Sequence, residues 1–267
     1  MKFKSLALIV LLILSSCKDA NQKVESSTDY SKENLDVTTS VYPDNISKVF
    51  EAHGGLDKWQ QMQTLKFTMP KESGDEVTTT DLHNRSSLID MPEHTIGFDG
   101  NELWLQNKDT VSYKGNPPRF YYNLMFYFYA MPFVLADDGI VYTDVEPLVF
   151  EGQEYPGIKI GYEAGVGESP DDEYIIYYNK ETNQMEWLAY TVTYFSKEKS
   201  KKFSYIKYSD WLTMEGMKLP KTLNWYTVEE GKPVAERNSR EFTNIVLSIE
   251  KLDETVFKKP DSAEMIE

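Results

Sequence analysis

Cysteine and histidine are nearly absent: Cys17 stands alone, and His53, His83 and His94 are the three histidines in 267 residues. A single cysteine excludes a disulfide within the chain, so stability has to come from an apolar core. No HExxH, no His pair four residues apart, no GxSxG and no CxxC occurs, which excludes the motif-coded zinc hydrolases, serine hydrolases and thiol redox centres. A glycine-rich phosphate loop after a strand is missing too, since Gly165-Val166-Gly167 sits in an acidic loop before Asp171. Positive charge is scarce: Lys and Arg number 28 against 43 Asp and Glu, a net charge of −15. That balance opposes binding to nucleic acid and adsorption on anionic lipid. After Leu14 no run of apolar residues is long enough to cross a bilayer as a helix.

What is present begins with the N-terminus. Lys2 and Lys4 are followed by nine unbroken apolar residues, Leu6 to Leu14, and then by Ser15 and Ser16. A positive start, a short apolar stretch and small residues predict a signal peptide over residues 1–16. Leu14-Ser15-Ser16-Cys17 resembles the lipobox of bacterial lipoproteins at all four positions. The resemblance implies acylation of Cys17, and stable attachment then takes more than one acyl chain. Removing residues 1–16 takes away Lys2 and Lys4 and no carboxylate, so the net charge goes from −15 to −17. Lys18-Asp19 is similar to the start of surface-export signals in some lipoproteins, though Ala20 replaces the second acid. The expected location is the cell envelope, on the outer membrane, with the face undecided. Residues 17–42 are polar and predict a disordered tether reaching roughly 25–30 Å.

Residues 43–260 predict one domain and 261–267 a short tail. Asp44 after Pro43 suits an N-cap, Ile46, Val49, Phe50 and His53 follow at helical spacing, and Gly54 suits a stop. Leu56 to Gln61 predicts a further helical turn carrying Trp59. The period then changes to two. Strands are expected at Leu65–Met69, Glu102–Gln106, around Ile158–Ile160, and at Glu173–Tyr178, Gln184–Phe195, Phe203–Leu212, Met217–Val228 and Val234–Leu247. Asp99-Gly100-Asn101, Glu215-Gly216 and Glu230-Gly231-Lys232 suit tight turns, so the fold class is mainly β, an antiparallel meander. One segment breaks the pattern: eight of the fourteen residues from Phe120 to Phe133 are aromatic. Pro117 and Pro118 suit a helix start and Pro132 its end, and a helix apolar on every face is buried. In a meander it belongs on the concave face of a curved sheet.

Candidate chemistry is sparse. His53 at a helix end suits a cap on free carbonyls, and His83 and His94 lie near strand ends. Asp137-Asp138 and Asp171-Asp172-Glu173 lack the alternating spacing of a Ca²⁺ loop and suit solvated turns. No residue is therefore assigned to catalysis or to a metal, and no cofactor is expected. The aromatic segment is the sharpest candidate. Phe120, Tyr122, Phe126, Tyr127, Tyr129 and Phe133 either fill the core or wall an apolar pocket.

Glu51-Ala52-His53-Gly54-Gly55, Trp59 and the strand Thr64 to Met69 resemble the start of periplasmic lipoprotein-carrier and outer-membrane lipoprotein-sorting proteins. Phe242-Thr243-Asn244-Ile245, Leu252-Asp253 and Val256-Phe257 before Lys258-Lys259-Pro260 are similar to their end. Tyr174 to Asn179, Thr182 to Tyr190 and the aromatic segment resemble an uncharacterised family of bacterial lipoproteins classed as a domain of unknown function. The resemblance runs from about Ile46 to Pro260. It implies an unclosed antiparallel barrel with short helices over the concave face and an apolar cavity, which in the carriers holds acyl chains. Carriers use no catalytic residues, so none transfer. This chain departs from them in being lipidated itself, which suits a tethered receptor better than a shuttle. Three functions stay open: a tethered binder of an acyl or other apolar ligand, a hydrolase whose site assembles only in three dimensions, and a structural envelope protein with a filled core.

Overall fold

The structure, a computed structural model, describes residues 42–137, 140–162, 172–196 and 199–266. Cys17, the signal segment, most of the tether, Asp138, Asp171 and Gly165–Gly167 lie outside the described residues. The chain opens with helices α1 (Asp44–Ala52) and α2 (Leu56–Gln61). Pro43, not Asp44, is the N-cap of α1, and Asp44 instead pairs with Lys48 one turn on. Strands β1 (Thr64–Met69), β2 (Glu76–Asp81), β3 (Ser87–Asp90), β4 (His94–Phe98) and β5 (Leu103–Asn107) follow. Helices α3 (Pro118–Tyr121) and α4 (Leu124–Tyr129) and a 3-10 turn at Phe133–Ala136 come next. The second half holds β6 (Ile140–Phe150), β7 (Gln153–Tyr162), β8 (Tyr174–Tyr178), β9 (Met185–Tyr190), β10 (Ser204–Ser209), β11 (Leu212–Met214), β12 (Met217–Leu219), β13 (Thr222–Glu229), β14 (Lys232–Glu241), β15 (Thr243–Ser248) and β16 (Glu264–Ile266).

Fourteen of these strands form two antiparallel seven-stranded sheets, in the orders β15-β1-β2-β3-β4-β5-β16 and β14-β13-β10-β9-β8-β7-β6, and β11 and β12 pair as a separate hairpin. Strands β14 and β15 are consecutive in the chain, and the buried Phe242 between them turns the corner from one sheet to the other. Among the described residues β6 and β16 end their sheets unpaired with each other, so the barrel is unclosed. The mainly β, unclosed antiparallel fold with a few short helices is thus what the chain forms.

Turn chemistry sets the hairpins. Asp99 accepts hydrogen bonds from the Asn101 and Glu102 amides at 2.9 Å each, which closes the β4–β5 turn. Glu215-Gly216 and Glu230-Gly231 both have positive φ at each residue, the two-residue turn whose twist matches a hairpin. One core then joins the inner faces of both sheets with the helices. It takes Leu65, Phe67 and Met69 from β1, Ile158 and Ile160 from β7, Leu188 from β9, Ile206 from β10 and Leu223 from β13. A second cluster, including Trp187, Phe150 and Tyr177, covers the outer face of the β6–β10 sheet. Gly54 is where α1 meets the sheet. A Cβ there would fall 2.4 Å from the Gly216 carbonyl oxygen, so only glycine lets the helix end seat on the β11–β12 turn.

Several boundaries depart from the sequence reading. Met217–Val228 is two strands, because Pro220 carries no N–H to continue the ladder. Val234–Leu247 is also two, split at Phe242 where the chain changes sheets. Strand β2 has no counterpart in the sequence reading, because its inward positions Glu76, Thr78 and Thr80 are polar and hide the period of two. Residues 264–266, placed in the tail, pair with β5, where the indole of Trp104 also donates to the Phe257 carbonyl at 3.0 Å.

Candidate functional site

The aromatic segment is two short helices and a 3-10 turn, where the sequence suggested one helix. Neither piece is long enough to hold itself together in water, so burial does that. Pro118 opens α3, Asn123 separates α3 from α4, and Pro132 stops the helix after Ala130. Phe126, Phe128, Tyr129 and Phe133 are each at most 4% exposed. Their rings reach both sheets. Tyr129 lies 4.6 Å from Phe67 of β1 and from Phe242, and Phe128 lies 4.8 Å from Tyr190 of β9. The Tyr208 hydroxyl donates to the Phe128 carbonyl at 2.7 Å and holds the end of α4 down. The segment therefore plugs the space between the inner faces.

Of the residues singled out in the sequence, Phe126, Tyr129 and Phe133 come together in this plug, with Tyr127 half-buried at its edge. Tyr122 turns away to a separate cluster with Ile89, Ile96, Leu103 and Leu105. Phe120 packs on Tyr194 and Phe195 at 5.1 and 4.9 Å. Polar atoms also lie at this interior. The hydroxyls of Tyr129, Thr78, Thr80 and Ser87 are buried with no hydrogen-bond partner among the described residues. Burial alone pushes the Tyr129 phenol far above its ordinary range, so it stays a neutral donor.

A groove flanks each end of the plug. The first, about 430 Å³, runs between α2, the end of β2 and the 3-10 turn. Its floor is Trp59 stacked on Phe133 at 4.6 Å and 10°, with Leu56, Met62 and Leu82 beside them. Its rim is polar. Arg85 bonds Asp137 at 2.7 Å and lays its guanidinium over the Phe126 ring at 5.1 Å. The second groove, about 290 Å³, lies where α3 and α4 meet Lys71 and strands β13 and β14. Leu124, Met125 and Trp225 line it together with Lys71, Arg237 and Arg240. A crevice of about 630 Å³ between hairpin tips carries Glu151, Glu229 and Glu230, whose carboxylates suit solvent and not an acyl chain. Apart from Phe133, the groove residues were missed as site residues. Trp59 stood out as a helical residue and in the family resemblance, not as a groove residue, and the rest come from elements far apart in the chain.

Each histidine is held by hydrogen bonds, and His83 also lines the first groove. His53 is fully buried, accepts the Met185 amide on Nε2 at 3.0 Å and faces the Lys218 carbonyl with Nδ1 at 3.3 Å. It caps strands β9 and β12 more than its own helix. Burial lowers its pKa to about 4, and the nearby Lys218 charge works in the same direction, against the raising effect of the Lys218 carbonyl. His83 meets Gln63 and the Met62 carbonyl, and His94 meets the Val111 carbonyl. Among the described residues no cluster of His, Cys, Asp and Glu could hold a metal ion.

A model of a family of unknown function, DUF6503, matches residues 4–239. No curated protein matches the chain. Solved structures similar to it include a DUF1329 family protein from Desulfovibrio piger, 11% identical, covering 81% of this chain and 98% of its own, at a TM-score of 0.49. A LolA superfamily protein from Nitrosomonas europaea is 10% identical, covering 79% and 96%, at a TM-score of 0.45. The lipoprotein LppX of Mycobacterium tuberculosis is 10% identical, covering 55% and 88%, at 0.26. None of the three reaches a TM-score of 0.5, so what they bind says nothing about this chain.

Proposed function

The chain belongs to DUF6503, a family of unknown function, and we propose that it is a lipid-anchored envelope protein that binds an acyl chain or other apolar ligand beside its aromatic plug. The observation that carries this is the Trp59–Phe133 groove. It is concave, with an apolar floor and a polar rim, so an apolar chain could lie over the floor with a polar end at the rim. Of the aromatic segment, Phe133 lines the groove, Phe126 and Tyr129 belong to the same core, and Tyr127 is half-buried at its edge, whereas Tyr122 and Phe120 pack elsewhere.

Native mass spectrometry of the protein taken from membranes in a mild detergent tests the reading. A co-purifying mass of a few hundred daltons that is lost on Trp59→Asp supports it. Wild type that carries no such mass and takes up no fluorescent fatty acid overturns it.

The anchor is part of the same proposal. No helix among the described residues is long and apolar enough to cross a membrane, and the lipobox at Leu14–Cys17 supplies attachment in its place. The attachment is to the outer membrane, with the polar residues 18–42 as spacer. Cys17→Ser is expected to move the protein from the detergent phase to the aqueous phase, or to leave it unprocessed. A mature variant that still partitions wholly into detergent would rule the anchor out.

A further inference from the structure

In a chain of net charge −15, the second groove has the opposite sign. Lys71, Arg237 and Arg240 line it, and no carboxylate does. The buried Glu76 lies beneath. It accepts Lys71 at 2.5 Å and the Tyr121 hydroxyl at 2.7 Å, so its charge is already used. Arg237 and Arg240 have no carboxylate partner among the described residues, and Arg240 donates only to the Ser239 carbonyl.

Backbone geometry brings these cations to the groove. Arg240 is opposite Leu223, whose side chain is in the core, and Asn238 is opposite Trp225. Residues opposed across antiparallel strands share a face, so Arg240 and Asn238 take the inner face of β14. Between the pairs Trp225–Asn238 and Tyr226–Glu236 the register shifts, and Arg237 is the extra residue. Such a bulge re-aims a side chain and is typical beside binding sites. One inward charge on an edge strand serves to block edge pairing. Two arginines without a carboxylate partner among the described residues, beside the Lys71–Glu76 pair and over an apolar floor, exceed that need. The floor is Leu124, Met125 and Trp225, with the Trp225 indole held to the Tyr190 hydroxyl at 3.1 Å.

We propose that this groove binds the anionic head, a carboxylate or phosphate monoester, of an acyl amphiphile. The head sits between Arg237, Arg240 and Lys71, and the chain lies over Leu124, Met125 and Trp225. Arginine forks suit both oxyanions because two N–H groups meet two oxygens. The inference rests on the apolar-ligand reading and adds a head group and a second location.

The full lipoprotein in a maltoside detergent is labelled with photoreactive palmitic acid and photoreactive hexadecanol, and cross-linked peptides are mapped. The acid is expected to label residues 121–125, and Arg237→Gln/Arg240→Gln is expected to lower that labelling about tenfold while leaving alcohol labelling unchanged. Both arginines are exposed, so the variant folds. Lysophosphatidic acid should compete with the acid, and inorganic phosphate at equal concentration should not. Acid labelling that is unchanged in the double variant, or phosphate that competes as well as the lysolipid, overturns the proposal. Alcohol and acid that label only the Trp59–Phe133 groove overturn it but leave the apolar-ligand reading standing. Wild type labelled by neither probe overturns both.

Discussion

Phe126→Ala is expected to lower the free energy of unfolding by about 3–5 kcal/mol. The ring is 1% exposed and lies within the main core. Removing it takes away the buried ring itself, the edge contact to Tyr127 at 5.9 Å and the ring beneath the Arg85 guanidinium. It also leaves a hole that α4 cannot close. Helix α3 before it, the 3-10 turn after it and the Tyr208 bond to Phe128 hold the helix in place. Phe120→Ala is the control. That ring is half-buried on Tyr194 and on Phe195, which is 62% exposed, so the neighbours can relax over the gap. It should cost about 1 kcal/mol. Urea midpoints read the difference. A Phe126→Ala loss of 1 kcal/mol or less would mean the plug is loosely seated, and the grooves beside it would then be parts of one larger cavity.

Acid is expected to remove about 3 kcal/mol of stability through His53 alone. Its folded pKa is about 4, below the ordinary value of 6.5, and the largest cause is burial. The sign follows from proton binding. Between pH 6.5 and 4 the unfolded chain takes up a proton on this ring and the folded chain does not, so unfolding gains. Above pH 6.5 both states hold it neutral and the contribution is flat. Below pH 4 both are protonated and the loss is complete. The geometry agrees, because Nε2 already accepts the Met185 amide and a proton there would set two donors against each other. Denaturation at pH 7 and at pH 4.5 should therefore show a drop in wild type that shrinks by most of this amount in His53→Gln. An equal drop in the two proteins would show that other groups carry the acid sensitivity.

Much of this was legible because it is local. A lipobox needs four adjacent residues. A turn needs an Asp-Gly or Glu-Gly pair, and a strand with one wet face needs only a period of two. Eight aromatics in fourteen residues from Phe120 to Phe133 can only be buried in an acidic chain, whatever they pack on. Counting by twos from Phe242 would even have put Arg240 and Asn238 on its face, though not what they face.

What was not legible is whatever depends on which distant residues meet. Strand β2 escaped notice because its inward Glu76, Thr78 and Thr80 look like the outer side of a strand until the neighbours of β1 and β3 are known. The extra residue at Arg237 exists only in the pairing of β14 with β13. Lys71 from the loop after β1 and Arg240 from β14 line one groove, and no spacing in the chain records that. The role of His53 shifted for the same reason. Its partners belong to residues 185 and 218, brought to it by the hairpins and not by its own helix. The sequence by itself determined most of the elements, the charge and the burial of the aromatic segment, since these follow from short-range propensity and hydrophobic pattern. Tertiary structure alone decided where the plug leaves room and which charges line that room, because close packing between distant strands sets the shape of every gap.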